Sequence, residues 1–180
     1  MNTEDYIGYY KDVVPHSLCW NITNYSFNFQ SSTYSSHKGK TEISSERVCM
    51  DEVWIKNDNV WYNDIKVAFE YVIKKYSEKH LLFSVQHITD FRINRYSKNG
   101  FMSSHCDNIH HSHGQQYGYP QVSVLLFLND DYKGGEFVVA DKLYRPAKGS
   151  SIIFPSNFMF PHEAKKVTKG IRWSIIAWLM

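Results

Sequence analysis

The chain has few cysteines and no long hydrophobic run, and each absence excludes a class of protein. Its cysteines are Cys19, Cys49 and Cys106, an odd number without motif spacing, which argues against a disulfide framework. No apolar run approaches the roughly 20 residues that span a bilayer. Met1 to Tyr6 show neither the basic nor the apolar region of a signal peptide. We therefore expect a cytoplasmic protein in a reducing compartment, without a membrane partner.

A strong net charge is also lacking, since 20 basic residues and 18 acidic residues leave a formal charge of +2. There is no global electrostatic case for nucleic acid as a partner, and none is expected. Basic residues do cluster in the C-terminal third, where a solvated face explains them more simply than a binding surface. These residues are Lys142, Arg145, Lys148, Lys165, Lys166 and Lys169.

Apolar residues, by contrast, are plentiful. A hydrophobic fraction of 43% and an aromatic fraction of 16% exclude a disordered chain. A chain of 180 residues is long enough to bury a core and has the size of one domain. We expect a single domain over residues 1–180, with helical and lid segments in 1–84 and a jelly-roll core in 85–180.

Helical patterns are confined to the N-terminal half. Residues 5–25 indicate a short helical segment, and the clearest helix runs from Asn63 to Lys79, with Asn63 as its cap. One face of this helix is apolar at helical spacing and is expected to pack on a sheet and buttress it. The residues of this stripe are Ile65, Ala68, Phe69, Val72, Ile73 and Tyr76.

From about residue 85 the sequence changes to short β-rich runs that turn residues separate. Many short strands after N-terminal helices predict a mostly β fold, a double-stranded β-helix or jelly roll buttressed by helices. The predicted strands are 86–96, 101–107, 121–128, 136–140, 150–154, 158–162 and 171–179.

The clearest chemistry lies in His105 and Asp107, which are one residue apart. Alternate side chains of a strand share a face, so both can point at one ion. Such a pair also occurs by chance, and two ligands alone cannot hold a metal. His162, 55 residues after Asp107, is the best candidate for a third ligand. Two histidines and one aspartate form the facial triad of non-haem iron(II) oxygenases, which leaves coordination positions open.

Arg172 strengthens this interpretation because it lies inside an apolar strand, ten residues after His162. An arginine in such a run is costly to bury unless an anion pairs with it. Its planar guanidinium can bind a carboxylate through two hydrogen bonds. The sequence therefore predicts an anionic partner, such as the carboxylate of a cosubstrate.

Several further motifs accompany these residues in order and at a characteristic spacing. They are Arg95-Tyr96 with Gly100, His105-Cys106-Asp107, residues 124–130, Gly134-Gly135-Glu136-Phe137, residues 148–155, Pro161-His162-Glu163, and Arg172 with Trp178. In this combination the chain resembles the 2-oxoglutarate- and iron(II)-dependent oxygenases, and within them the prolyl 4-hydroxylase-like group. The resemblance covers roughly residues 85–180.

The resemblance implies a dioxygenase that hydroxylates a C–H bond and uses Fe(II), 2-oxoglutarate and O2, with ascorbate as a further cofactor left open. The implied substrate is a proline in a peptide or protein. The alternative keeps the cofactors and acts on a free amino acid or another small molecule. A third, less favoured hypothesis is a non-enzymatic jelly roll that binds metal.

The resemblance also implies roles for individual residues. The metal ligands would be His105, Asp107 and His162. Arg172 would bind the far carboxylate of 2-oxoglutarate, and Tyr96, nine residues before His105, would donate a hydrogen bond to the same carboxylate. An aspartate at position 107 favours hydroxylation, since related halogenases have a small residue there.

Two positions on the last predicted strand are open to two interpretations, and a third departs from the family. Ser174 either adds a hydroxyl to the cosubstrate site or makes a cross-strand structural bond. Trp178 matches a family aromatic residue near the iron, although without the resemblance it would be assigned to the core. Phe127 stands where some prolyl hydroxylases have a tyrosine that contacts 2-oxoglutarate, so more of that task would fall to Tyr96.

Two polar segments are predicted as surface loops. Residues 30–46 are rich in serine and form either a linker or a lid over the site. Residues 108–120 carry His110, His111 and His113, which belong to a solvated loop, contact substrate, or form a separate metal site. Tyr117 and Tyr119 in this segment would suit a peptide substrate.

Overall fold

A computed structural model describes residues 2–35, 41–42, 46–108 and 118–180. The helices are a 3-10 helix η1 (Thr3–Tyr6), α1 (His16–Thr23) and α2 (Tyr62–Lys79). The strands are β1 (Gly8–Tyr10), β2 (Gln30–Ser31), β3 (Tyr34–Ser35), β4 (Thr41–Glu42), β5 (Val48–Cys49), β6 (Asp51–Ile55), β7 (Phe91–Tyr96), β8 (Phe101–His105), β9 (Val122–Phe127), β10 (Lys133–Gly134), β11 (Phe137–Val139), β12 (Lys142–Tyr144), β13 (Ser151–Pro155), β14 (His162–Ala164), β15 (Val167–Lys169) and β16 (Arg172–Leu179).

Two antiparallel sheets contain most of the described strands. The major sheet has seven strands in the order β1-β13-β9-β16-β7-β6-β2, and the minor sheet has five in the order β12-β11-β14-β8-β5. Their inner faces meet in an apolar layer that includes Phe127 of the major sheet and Phe137 of the minor sheet. This arrangement confirms the predicted mostly β fold, a double-stranded β-helix with helices beside it.

Strand β16 at the centre of the major sheet is buried at all eight positions. Its alternate residues serve different layers, because Ile176 and Trp178 join the layer between the sheets while Ile175 and Ala177 join the core on the outer face. A strand covered on both faces appears in the sequence as a continuous apolar run. Arg172 is the charged residue in that run, and its guanidinium lies beside Phe127 of the inner layer.

Helix α2 contributes to the core on the outer face of the major sheet, as expected of a buttressing helix. The ring of Phe69 stacks on that of Phe91 in β7, with centroids 4.9 Å apart and an interplanar angle of 10°. The predicted stripe is confirmed: Ile65, Ala68, Phe69, Val72 and Tyr76 are buried and Ile73 is partly buried. In the described ranges no helix combines the length and apolar character needed to cross a bilayer.

Two details of the helix predictions are wrong. Asn63 lies inside the first turn of α2 and is not the cap. The cap is Trp61, whose backbone N–H donates to Asn59 Oδ1 at 2.9 Å. Residues 5–25 are not one helical segment, because β1 pairs with β13 there, with Gly8 opposite Ile153. A Cβ at Gly8 would lie 2.7 Å from Ile153 Cγ2, so this close approach depends on glycine.

Two details of the strand predictions also need correction. The predicted strand 158–162 is a turn followed by β14, because the Asn157 carbonyl accepts from the Phe160 N–H at 2.9 Å. The Asn157 side chain accepts a hydrogen bond from the Met159 N–H at 3.0 Å and stabilises the same turn. Strand β6 was not predicted, although it pairs with β7 along five residues.

Candidate functional site

The fold brings His105, Asp107 and His162 together at one end of the minor sheet. The two histidines are direct partners, with β8 ending at His105 and β14 beginning at His162. Asp107 lies just beyond β8, where one carboxylate oxygen is 3.3 Å from His105 Nε2 and the other is 3.3 Å from His162 Nε2. One potential ligand atom from each residue lies within 4.8 Å of the others.

Backbone carbonyl groups fix the orientation of both imidazoles. His105 Nδ1 lies 2.8 Å from the Ser103 carbonyl, and His162 Nδ1 lies 3.2 Å from the Phe160 carbonyl. A carbonyl only accepts, so each Nδ1 carries a proton and donates it. The Nε2 atoms therefore face the common centre, in the arrangement that metal-binding histidines adopt.

The Asp107 carboxylate is buried and held by hydroxyl groups of the major sheet. Ser123 Oγ donates to Asp107 Oδ2 at 2.6 Å, and the Ser123 and Ser156 hydroxyls lie 2.7 Å apart. Burial alone would raise the pKa of Asp107, but the combined effect of His162 and His105 holds that pKa well below its usual range. The site therefore offers one carboxylate and two imidazole nitrogens.

The cavity beside these three groups has mostly apolar walls. Arg92 and Asn94 of β7 are the polar exceptions, together with the hydroxyl of Tyr96. The apolar residues that line it are Met50, Met102, Leu125, Phe137, Ala164 and Ile176. Such walls exclude water and strengthen electrostatic interactions inside the cavity.

Arg172 lies opposite Tyr96 in the pairing of β16 with β7 and is 1% exposed. Its guanidinium carbon is 4.8 Å from the centre of the Tyr96 ring and 5.3 Å from that of Phe127. Nη1 donates a long hydrogen bond of 3.4 Å to Ser174 Oγ. Nε and Nη2 are buried, and within the described residues neither makes a hydrogen bond.

Tyr132, just before β10, and Gly135, just after it, complete the surroundings of Arg172. A Cβ at Gly135 would lie 3.1 Å from Arg172 Cδ and 2.9 Å from Val167 Cγ2, and the φ of +65° also favours glycine. Burial raises the pKa of Tyr132 and of Tyr96 against the opposing charge of Arg172. Both hydroxyls therefore stay protonated at neutral pH and can donate hydrogen bonds.

Ser174 and Trp178 are the two residues of β16 whose roles the sequence left undecided. Ser174 accepts from Arg172 on its own strand, so the contact is not the cross-strand bond considered above. Trp178 is buried between the sheets. Its ring centre lies 4.9 Å from the Arg92 guanidinium carbon and 6.1 Å from the ring centre of Trp54. The catalytic and cofactor roles of these residues stay predictions.

Several polar residues of the site were not predicted from the sequence. Arg92 and Asn94 alternate with Tyr96 on one strand, so period two would have placed them on the same face. Ser123 is the first polar residue inside the apolar run of β9, and its isolation was a usable signal. Tyr132 lies in a turn, where nothing in the sequence pattern indicated its approach to Arg172.

Parts of both predicted loops lie outside the described residues. This applies to His110, His111, His113 and Tyr117 in the 108–120 segment, and to residues 36–40 and 43–45 in the 30–46 segment. Tyr119 is described and is partly exposed. The proposed substrate and lid roles of these loops therefore stay predictions.

Comparison with known proteins assigns the chain to a family. The sequence profile of the 2OG-Fe(II) oxygenase superfamily matches residues 91–180, half of the chain. A PKHD-type hydroxylase of Rippkaea orientalis is 31% identical over 134 residues, which are 69% of this chain and 57% of that protein. Human prolyl 3-hydroxylase 2 is 36% identical over 69 residues, or 34% of this chain and 10% of that protein. The chain spans little more than half the length of the bacterial hydroxylases that it matches.

Solved structures agree with this assignment at the level of the fold. A prolyl hydroxylase from Trichoplax adhaerens, in complex with a hypoxia inducible factor peptide fragment, has a TM-score of 0.74 at 16% identity and covers 98% of this chain and 84% of that chain. A Pseudomonas putida prolyl-4-hydroxylase has a TM-score of 0.68 at 17% identity and covers 97% of this chain and 91% of that chain. Because the profile match contains His105, Asp107, His162 and Arg172, the chain belongs to the 2OG-Fe(II) oxygenase superfamily.

Proposed function

We propose that this chain is an Fe(II)- and 2-oxoglutarate-dependent dioxygenase that hydroxylates a C–H bond, with a peptidyl proline as the substrate. The observation that carries the proposal is a pairing of two features. Three metal-type ligands converge beside a cavity with mostly apolar walls, and a buried guanidinium without a carboxylate partner lies on the same inner face of the fold. Metal binding and anion binding are thus supported by separate residues.

The donor set suits Fe(II). Two imidazole nitrogens and one carboxylate on one side of an ion leave its other coordination positions open for small ligands. His105, Asp107 and His162 would hold the metal, and the carbonyl and hydroxyl contacts described above would keep them in place. With a small residue at position 107 the carboxylate ligand would be missing, so Asp107 supports hydroxylation.

The surroundings of Arg172 suit the far carboxylate of 2-oxoglutarate. A buried guanidinium without an anion is costly, and the described residues offer Arg172 no carboxylate. A carboxylate could accept from Nε and Nη2 together, which is the bidentate geometry that arginine favours. Tyr96 would donate a further hydrogen bond, with Ser174 positioning the guanidinium and Trp178 closing the apolar wall.

When bound, Fe(II) with 2-oxoglutarate and O2 supplies the oxidising chemistry: the substrate C–H becomes C–OH, and 2-oxoglutarate becomes succinate and CO2. The residues of the chain bind, orient and exclude water. Phe127 lacks the hydroxyl that some prolyl hydroxylases have at this position. Tyr132, whose ring flanks Gly135 together with the Arg172 side chain, would provide the missing donor.

The choice of a peptidyl proline rests on the relatives, which are named as prolyl hydroxylases. A proline-containing peptide or protein is therefore the proposed partner. A free amino acid or another small molecule is the second candidate, and a metal-binding jelly roll without activity is the third. Ascorbate is proposed as an additional reductant, to be tested by its effect on the number of turnovers.

We further propose that residues 1–180 act as one oxygenase domain in a reducing, cytoplasmic compartment. Among the described residues, β1 and α2 join the same major sheet that carries Arg172, which supports one domain. Cys19, Cys49 and Cys106 are all unpaired, which suits a reducing environment.

The enzyme class is tested without knowledge of the substrate. Under anaerobic conditions, Fe(II) and 2-oxoglutarate together should produce a weak visible charge-transfer band, which Asp107→Ala should lose. Thr23→Ala, at the last residue of α1, is the matched control and should keep the band. With O2 and proline-containing peptides, we expect succinate and a peptide that gains one oxygen atom by mass. Absence of both the band and succinate would contradict the proposal.

A further inference from the structure

Arg92 is a second arginine on the inner face of the major sheet, and the proposed cofactors do not use it. It lines the cavity that contains His105, Asp107 and His162. In the sheet it lies opposite Ile176, whereas Tyr96 lies opposite Arg172. Four strand residues span about 13 Å, so the two arginines start from well-separated positions along the sheet.

Three contacts hold the Arg92 side chain in place. Its Nη1 lies 3.4 Å from Glu52 Oε2, and that oxygen also accepts from Ser32 Oγ at 2.6 Å. The guanidinium carbon lies 4.9 Å from the ring centre of Trp178 and 5.8 Å from that of Trp54. These contacts hold the Arg92 guanidinium in a fixed position at the wall of the cavity.

The hydrogen-bond donors of Arg92 are largely unused. A guanidinium has five N–H groups, yet among the described residues the buried Nε of Arg92 makes no hydrogen bond and Nη1 meets only the Glu52 carboxylate, at 3.4 Å. Its side chain is 16% exposed, and Nε is buried. A mostly buried arginine whose N–H groups lack acceptors lowers the stability of the fold unless a ligand accepts hydrogen bonds from them.

The charge of Arg92 determines which ligand suits it. Glu52 already neutralises Arg92, whereas no described carboxylate neutralises Arg172. A free carboxylate approaching Arg92 would also approach the Glu52 carboxylate, and like charges oppose each other. A neutral carbonyl group can accept the unused hydrogen bonds without that repulsion.

We propose that Arg92, fixed by Glu52, Trp54 and Trp178, binds a backbone carbonyl of a peptide substrate beside the metal site and selects against free amino acids. This inference rests on the proposed function and decides between its first two substrate candidates. Arg92 is a substrate-positioning residue in this account, and Glu52 sets its selectivity.

The test measures binding without turnover. Protein loaded with Mn(II) and 2-oxoglutarate is titrated in a calorimeter with two ligands, an N-acetylated, C-amidated decapeptide of alternating alanine and proline, and free L-proline. The wild type should bind the peptide and bind L-proline far more weakly. Arg92→Gln should lose at least about tenfold in peptide affinity, the effect of one charge-assisted hydrogen bond, with 2-oxoglutarate affinity unchanged.

Glu52→Gln provides the sharper measurement, because it leaves Arg92 with an uncompensated charge. L-proline affinity should rise several-fold while peptide affinity stays within about threefold. Arg95→Gln is the matched control. Arg95 lies on the opposite face of β7, where it pairs with Asp51 at 2.8 Å, and its loss should leave both affinities unchanged.

Folding is monitored by thermal unfolding of each variant. If Arg92→Gln does not fold, Arg92→Lys decides: it keeps the charge, loses the planar fork, and should still weaken peptide binding. Unchanged peptide affinity in a folded Arg92 variant overturns the inference, as does a wild type that prefers L-proline or binds 2-oxoglutarate but no peptide. If the wild type binds neither Mn(II) nor 2-oxoglutarate, the proposed function itself fails and the inference falls with it.

Discussion

The two sheets of the molecule divide its tasks unequally. In the major sheet, β9 and β16 are buried at every position because helices cover the outer face. In the minor sheet, no position of β8 or β12 is fully buried, and each strand has one exposed residue. Both histidines of the proposed metal site nevertheless belong to the minor sheet, whereas Arg172 and Arg92 belong to the major sheet. The difference teaches that the major sheet provides most of the core and the proposed organic-ligand contacts, while the minor sheet presents two of the three proposed metal ligands.

The largest effect should come from removing a ligand of the minor sheet. His105→Ala leaves one imidazole and one carboxylate, so Mn(II) affinity should fall by more than the 10- to 100-fold that is typical for an outer partner of a ligand. Because the side chain is at the edge of the core, thermal unfolding should change little. Electron paramagnetic resonance of added Mn(II) measures the affinity. His16→Ala, at an exposed position of α1, is the control, and equal loss there would break the comparison.

The next effect concerns the outer face of the major sheet. Phe69→Ala removes the ring stacked on Phe91, and the free energy of unfolding should fall by about 3–5 kcal/mol. Chemical denaturation measures the loss, with Val67→Ala as an exposed control on the same helix. The folded variant should keep its Mn(II) affinity, because the ligands belong to the other sheet. Parallel loss of stability and metal affinity would show that the two tasks are not separate.

Arg172→Gln tests the inner face of the major sheet. Loss of the charge-assisted hydrogen bonds should weaken 2-oxoglutarate binding by roughly 10- to 150-fold, with Mn(II) affinity retained. Removing an uncompensated buried charge should leave the ligand-free protein as stable as before, or more stable. Calorimetry with Mn(II) present measures the affinity. Arg95→Gln on the outer face should behave as the wild type, and a variant of Arg172 that binds normally would refute its role.

The smallest effect is expected where the two sheets meet at the metal ligands. Ser123→Ala removes the hydrogen bond to Asp107, and Mn(II) affinity should fall by about tenfold. Ser151→Ala is the matched control, since that serine is equally buried and its hydroxyl makes no hydrogen bond among the described residues. Equal behaviour of the two variants would mean that Ser123 only fills space.

Periodic patterns predicted the parts of the fold that have one dominant cause. The stripe of α2 and the long apolar run of β16 follow directly from burial. Strand β6 was missed because it begins with Asp51 and Glu52. Their ion-pair partners Arg95 and Arg92 lie in β7, which neighbours β6 in the sheet but is distant in sequence. Strand β1 was missed because three residues that pair with β13 carry no recognisable local pattern. The side chain of Asn157 determines a turn where alternation had predicted a strand.

At the candidate site, the sequence predicted residues whose chemistry is unusual in their context. An arginine in an apolar strand and a His-x-Asp pair are visible without coordinates. The position of Arg92 in the site was not predicted, because it depends on contacts with Glu52 and Trp54, which lie about 40 positions earlier. The position of Tyr132 beside Arg172 depends on the positive φ angles of Gly134 and Gly135, where a Cβ would meet backbone or side-chain atoms. Such contacts come from the fold and not from local spacing.

The hydrogen bonds from Ser123 to Asp107 and between Ser123 and Ser156 have a thermodynamic consequence. They attach Asp107, which follows the minor sheet, to β9 of the major sheet and to Ser156, the residue after β13, and the Asn108 N–H donates a further bond to the Ser156 carbonyl at 3.0 Å. A divalent ion held by His105, His162 and Asp107 would thereby cross-link the two layers. At a concentration 100 times the dissociation constant, such an ion raises the free energy of unfolding by about 2.7 kcal/mol. Melting temperature thus becomes a direct measure of site occupancy, usable before any substrate is known.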